Sequence, residues 1–202
     1  MLFSIVIFDE PDSGAMRDVW RERHLVYLKA FDEQTLFAGP FTADDESADL
    51  GSLRLIEFAD RAAAEQHVAD EPYVTAGIQK RWHINRWQAS VPFTWRDCPR
   101  TDGNIQALFH GLDVADGPER RAAHQAAQYA YLDAHSASIM SRGPILTDDG
   151  AANKGSVMLF DAPDMAAARA LLENMPFYKA GCYGDILFHR WRFGRVFDRN
   201  KV

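Results

Sequence analysis

The stretch Leu36-Phe-Ala-Gly-Pro-Phe-Thr-Ala-Asp-Asp-Glu-Ser-Ala-Asp-Leu-Gly-Ser-Leu53 returns in outline 104 residues later as Met140-Ser-Arg-Gly-Pro-Ile-Leu-Thr-Asp-Asp-Gly-Ala-Ala-Asn-Lys-Gly-Ser-Val157. Gly39-Pro40 falls on Gly143-Pro144, Asp44-Asp45 on Asp148-Asp149, and Gly51-Ser52 on Gly155-Ser156. Glycine and proline mark positions with special backbone demands, so shared ones imply shared turns. The correspondence extends outward: residues 3–93 laid on 107–197 agree at about a quarter of positions without a gap. Asp9 pairs with Asp113, Tyr27-Leu28 with Tyr131-Leu132, Pro72 with Pro176, Ala76-Gly77 with Ala180-Gly181, and Arg86-Trp87 with Arg190-Trp191. The chain therefore reads as two copies of one ancestral domain, residues 1–93 and the more divergent 105–202. Residues 94–104 join them, a polar segment carrying Pro99 and Gly103 that suits a linker.

Hydrophobic periodicity supplies the elements. Leu2 to Phe8 is a short, continuous, β-branched run, the pattern of a strand covered on both faces. Asp12 or Ser13 can cap a following helix whose apolar stripe is Met16, Val19, Trp20, His24, Tyr27, Leu28 and Phe31. Gln34–Ala38 reads as a strand, Gly39-Pro40 and the acidic 44–46 segment as a loop, and Ser52–Phe58 as a third strand. Asp60 caps an alanine-rich helix over 61–69; a turn over 72–77 and a strand over 81–89 complete the copy. The second copy repeats the order with strands at 105–112, 138–142, 156–161 and 185–193 and helices at 118–134 and 164–173. The predicted fold class is α+β: two ferredoxin-like (βαββαβ) repeats whose sheets pack together as an intramolecular pseudo-dimeric α/β barrel.

The composition is that of an ordinary folded protein, with 47% hydrophobic and 25% charged residues among 202. A formal net charge of −7 argues against nucleic acid as a partner, because phosphate-backbone binding needs a positive surface field. The apolar start reaches Asp9 and Glu10 before a signal peptide could be completed, and no run is long enough to span a bilayer. Two cysteines, Cys98 and Cys182, neither form a disulfide framework nor show metal-ligand spacing. The seven histidines are scattered, so neither metal nor cofactor is expected, and a cytoplasmic location fits.

The combination of Asp9 after the first strand, His24-Leu-Val-Tyr-Leu28, Leu36-Phe-Ala-Gly-Pro40, Gly51-Ser-Leu53 and Asp70-Glu-Pro-Tyr-Val-Thr-Ala-Gly77 resembles the YCII-related (YciI-like) family. Nearly all of the first copy carries the resemblance. The second keeps its frame in Arg142-Gly-Pro144, Lys154-Gly-Ser156 and Met175-Pro-Phe-Tyr-Lys-Ala-Gly181. The resemblance implies a dimeric α/β barrel with a pocket in each copy, arranged around a helix-borne histidine and a nearby aspartate. It also implies a link to dehydrohalogenation of chlorinated hydroxyquinone-type rings, and more distantly to muconolactone isomerases and small monooxygenases. Fold-level analogy sets a prior and no more.

His24, on the inner stripe of its helix, is either a satisfied core histidine or a proton shuttle for elimination or isomerisation. Asp9, at a strand end facing that helix, is the candidate carboxylate that orients it, its alternative role being to cap the following turn. Gln128 replaces the histidine in the second copy, with His124 one turn away as a substitute, so that copy reads as having lost the chemistry. Ser52, Tyr27 and Ser156 are candidate ligand-binding groups. Arg86 and Arg190, matching arginines on matching final strands, bind an anionic substrate or bridge the sheets. Two functions remain open at this stage: a cofactor-independent lyase or isomerase acting on a small anionic or phenolic molecule, and a non-catalytic ligand-binding or structural module. The expected partners are a small-molecule ligand and the chain's own second half, with a homodimer of whole chains as a further option.

Overall fold

A computed structural model describes residues 1–200; positions 201 and 202, included above in the second copy, lie outside the described residues. The first half contains β1 (Leu2–Asp9), α1 (Gly14–Lys29), β2 (Thr35–Thr42), β3 (Asp49–Glu57), α2 (Arg61–Ala69), α3 (Pro72–Thr75) and β4 (Gln79–Trp87). The second contains β5 (Ile105–Asp113), α4 (Gly117–Ala134), β6 (Ile139–Leu146), β7 (Asn153–Ala162), α5 (Met165–Glu173), α6 (Pro176–Lys179) and β8 (Tyr183–Trp191), with a 3₁₀ turn at Ser136–Ser138. All strands pair antiparallel, in the closed order β1-β3-β2-β8-β5-β7-β6-β4. The α+β barrel built from two ferredoxin-like halves is thus the observed fold.

Both faces of β1 are buried, as its unbroken apolar run requires. Phe3, Ile5 and Ile7 pack with Ala64 and Val68 of α2. Val6 instead joins the barrel core with Leu53, Leu55, Leu108, Leu159 and Trp191. The equivalent outer layer of the second half sets Ala107 and Phe109 against Leu132 and Leu172. Asp60 and Asp164 accept from the N–H groups of Ala63 (2.8 Å) and Ala167 (2.7 Å), capping α2 and α5 as their sequences indicate.

The two half-sheets meet along short seams. β2 pairs with β8 through Phe41↔Trp191 and Thr42↔Arg190, and β4 pairs with β6 through Arg86↔Leu146 and Trp87↔Ile145. Each seam continues past the strand end: Arg192 N–H donates to the Pro40 carbonyl (3.1 Å) and Gly194 N–H to Ala38 (2.8 Å). On the opposite side Gln88 N–H donates to Pro144 (3.1 Å) and Ser90 N–H to Arg142 (2.8 Å). Close approach here is possible only for glycine. A β-carbon on Gly39 would lie 1.9 Å from the Arg192 carbonyl oxygen, and one on Gly143 would lie 1.8 Å from that of Gln88.

Several expectations need correction. Gly39-Pro40, assigned to a loop, lies inside β2, because the residue pair serves the seam and not a turn. Met16 and Val19, expected on the buried stripe of α1, are 46% and 76% exposed. The ion pairs of Arg17 with Asp9 and Asp49 draw the neighbouring position inward and rotate the helix accordingly. Ser13 occupies the N-cap of α1 without a side-chain bond. The 94–104 segment that joins the halves also adds to the core: Trp95 and Cys98 are buried beside Phe193 and Phe197, and Trp95 N–H donates to the Leu36 carbonyl (2.7 Å). Among the described residues, no helix is long and apolar enough to cross a membrane.

Gly39→Ala or Gly143→Ala must push two backbones apart, so each is expected to cost about 2–3 kcal/mol, roughly 5–10 °C in Tm. Thermal melts followed by circular dichroism check this, and an unchanged Tm would contradict the seam's role. A second expectation concerns His110 on β5, which is 6% exposed and whose Nε2 has no hydrogen-bond partner among the described residues. Burial, reinforced by the charge of His83, lowers its pKa from 6.5 to about 4. The unfolded chain takes up this proton near pH 6.5 and the folded chain only near 4, so the fold is at full strength above pH 6.5 and weakens as pH falls through that window. The loss approaches about 3 kcal/mol at its acid end. His110→Leu should therefore flatten the fall in Tm between neutral pH and pH 4, measured side by side with the parent protein.

Candidate functional site

Pro72 opens α3, and a proline in that position holds the preceding residue extended. That residue is Glu71. Its Oε1 accepts from the Tyr73 N–H (3.2 Å) and lies 2.6 Å from Nδ1 of His24 on α1. Tyr73 stacks on the imidazole, with ring centroids 3.9 Å apart and planes 6° from parallel. The Tyr73 hydroxyl donates to the Arg17 carbonyl (3.1 Å), tying the stack back to α1. Ring plane, ring position and one ring nitrogen of His24 are thereby fixed.

Behind this pair lies a buried polar chain. Arg54 of β3, 2% exposed, sets Nη2 3.4 Å from Glu71 Oε2 and Nη1 3.0 Å from His67 Nε2. The guanidinium can only donate, so His67 accepts at Nε2 and carries its proton on Nδ1, 3.2 Å from the Tyr27 hydroxyl. That hydroxyl donates to the His67 carbonyl (2.8 Å). Burial, aided by Arg54, lowers the His67 pKa to about 3, so this histidine is neutral. Burial would raise Glu71, but the His24 hydrogen bond and the Arg54 charge outweigh it and hold its pKa at about 2. His24 sits below its ordinary value because burial disfavours the imidazolium more than Glu71 favours it. The neutral ring donates a hydrogen bond from Nδ1–H to the Glu71 carboxylate and keeps Nε2 as a base.

His24 lines a cavity of about 70 Å³. Its wall also carries Arg17, Arg21 and Arg54 from the first half and Arg192 and Arg195 from the tail of the second. Asp49, the carboxylate on this wall, is engaged by Arg17 (2.9 Å) and Arg192 (2.6 Å). Arg17 is also paired with Asp9, Arg21 with Asp18 and Arg54 with Glu71, so five arginines face four carboxylates and the wall keeps a small positive excess on a chain of net charge −7. Among the described residues, no group of three or more His, Cys, Asp and Glu side chains is placed to hold a metal ion.

The sequence-derived candidates fall in different places. His24 and Ser52 share the cavity, and Ser52 Oγ is buried without a partner among the described residues. Asp9 does not orient His24: its carboxylate is held by Arg17 and by Gln79 Nε2 (2.8 Å), and Glu71 takes the expected place. Tyr27 supports His67 from behind and does not line the cavity. Arg86 crosses a seam to the Asp148 carbonyl (3.1 Å), and Arg190 reaches Glu46 (2.8 Å), so both bridge the halves and line neither cavity. His124 is exposed on α4 and substitutes for nothing.

In the second half, Gln128 replaces His24, Met158 replaces Arg54, Leu171 replaces His67 and Met175 replaces Glu71. All four members of one buried network differ together across the 104-residue offset, a signal that the reading of single segments passed over and that would have pointed to Glu71, Arg54 and His67. By contrast Asp113 keeps its partner: Arg121, the counterpart of Arg17, grips it through Nε (2.7 Å) and Nη2 (2.6 Å). Nη2 also donates to Ser156 Oγ (3.1 Å), which receives the Tyr183 hydroxyl as well (3.1 Å).

The YCII-related domain pattern matches residues 1–88 and again 105–192. No match was found among curated proteins. Among solved structures, the 5-chloro-2-hydroxyhydroquinone dehydrochlorinase of Burkholderia phenoliruptrix is 27% identical over 44% of this chain and 94% of its own, with a TM-score of 0.41. A heme-binding protein of Thermus thermophilus is 14% identical over 94% of this chain and 90% of its own, with a TM-score of 0.57. A variant of the chlorite dismutase of Candidatus Nitrospira defluvii is 7% identical over 96% of this chain and 92% of its own, with a TM-score of 0.63. The last two overlay on nearly the whole of this chain at identities that speak for fold alone. With the domain pattern matched across most of both halves, this chain belongs to the YCII-related family.

Proposed function

We propose that the first half is a cofactor-independent lyase or isomerase acting on a small anionic or phenolic ring, with His24 as acid/base and Glu71 as its positioning carboxylate. The observation that carries this reading is the 2.6 Å contact between His24 Nδ1 and a buried Glu71, which leaves Nε2 of a cavity-lining histidine as the base. The arginines on the wall supply attraction for an anion, and Arg17, Arg21 or Arg192 meets the oxygen on which charge accumulates. The partnerless Ser52 Oγ offers a further hydrogen bond to the substrate.

The chemistry balances without a redox partner. His24 Nε2 accepts a proton from a ring carbon or hydroxyl, and the electron pair so released moves into the conjugated ring. In a lyase it expels a leaving anion from the adjacent carbon. In an isomerase the imidazolium returns the proton at a second carbon. Glu71 steadies the transient imidazolium, and Arg54 keeps Glu71 ionised when His24 is neutral. Asp9 acts at one remove, by holding Arg17 against the cavity.

His24→Gln, the residue found at the matching position of the second half, should lower kcat/KM on chlorinated hydroxyhydroquinones by about 10²–10⁴-fold, read as halide release. The far-ultraviolet spectrum should be unchanged. Retained activity in this variant would sink the reading. Because the working base is neutral His24 with its pKa below 6.5, activity should hold through neutral pH and fall only on the acid side of that value. Glu71→Gln removes the charge that favours the imidazolium, so the acid limb should shift to still lower pH, a change that a merely structural role of Glu71 would not produce.

A further inference from the structure

The place that corresponds to the His24 cavity in the second half has not closed over: it has become larger. There the cavity measures about 720 Å³ against about 70 Å³, within the range of small-molecule sites. The enlargement follows from the side chains. Arg21, Arg54 and Arg192 crowd the first cavity, where Gln125, Met158 and Gln88 stand in the second. Leu132, Met158 and Phe177 make an apolar wall. Arg142 faces it from β6, where the first half has Ala38. Arg142 Nη2 donates to Asp133 (3.0 Å), but its Nη1 is buried and has no acceptor among the described residues. A buried guanidinium nitrogen left without an acceptor carries a desolvation cost that a ligand oxygen can offset.

We propose that this second cavity is a binding site, without turnover, for a small apolar ring compound that presents one acceptor oxygen, carboxylate or carbonyl, to Arg142. Turnover is precluded by the groups at the position of the acid/base pair. Gln128 is engaged at both ends of its amide, its Oε1 accepting from the Phe177 N–H (3.0 Å) and its Nε2 donating to Met175 Sδ (3.5 Å). Neither Gln128 nor Met175 titrates, and Asp133 on the wall is held by Arg142. Arg121 is likewise neutralised by Asp113 and stacks over Phe177 (4.8 Å), so it forms a floor and leaves Arg142 as the recognition group. Binding here depends on the second cavity alone and is independent of catalysis by His24.

Titration of the full chain with benzoate and separately with acetophenone, followed through the ¹³C-methyl signal of Met158, tests the site. A saturable shift at millimolar probe is expected, and the tighter probe tells carboxylate from carbonyl. Ala122→Trp, at an exposed position of α4 on the cavity rim, should abolish the shift by filling the space. Arg142→Leu should weaken benzoate binding by at least about tenfold. The absence of a saturable shift with both probes overturns the proposal, as does a shift that survives Ala122→Trp.

Discussion

Two backbone contacts, Gly39 against the Arg192 carbonyl and Gly143 against that of Gln88, govern how the halves of this protein meet. A four-stranded antiparallel sheet leaves two edges unpaired, and exposed edges invite association with other chains. Here the edges β2 and β4 are covered by β8 and β6, so the barrel closes upon itself. Closure also decides what each cavity is made of. The strand that seals one seam runs on into the neighbouring half's cavity, delivering Arg192 and Arg195 to the first and Gln88 and Ser90 to the second. Neither half could assemble its own cavity wall alone.

The fate of the buried polar network follows from electrostatics. Removing one partner from a buried ion pair strands the other charge at a cost of several kcal/mol, whereas replacing the whole set with apolar groups of similar size is nearly neutral. The second half shows the latter outcome, with glutamine, two methionines and a leucine where the first has two histidines, an arginine and a glutamate. The Asp–Arg pair at the end of the first strand was kept in both halves, Asp9 with Arg17 and Asp113 with Arg121. Its persistence beside a lost histidine marks it as the anchor of the first helix of each half, a role independent of proton transfer.

Both the fold and the repeat could be read directly from the residues. The 104-residue offset, the apolar run of Leu2 to Phe8, and the caps Asp60 and Asp164 are local patterns, and local geometry answers to local sequence. His24 was legible too, as a histidine on an inward helical face. Its partner was not. Asp9 looked closer because strand ends face helices in this fold, but a carboxylate bonds where the nearest cation lies, and Arg17 is eight positions along the same chain. Glu71 is separated from His24 by 47 positions and reaches it only because Pro72 starts a short helix under α1.

The sequence by itself therefore determined the element order, the doubling of the domain, the family and the inward-facing histidine of the first helix. Each follows from periodicity or spacing along the chain. Only the tertiary structure decided which carboxylate serves that histidine, that arginines of one half enter the cavity of the other, and that the second cavity is open where the first is crowded. Those outcomes depend on distances between side chains remote in sequence, which are set when the seams close and the helices settle on the sheet, and no pattern within a single segment encodes them.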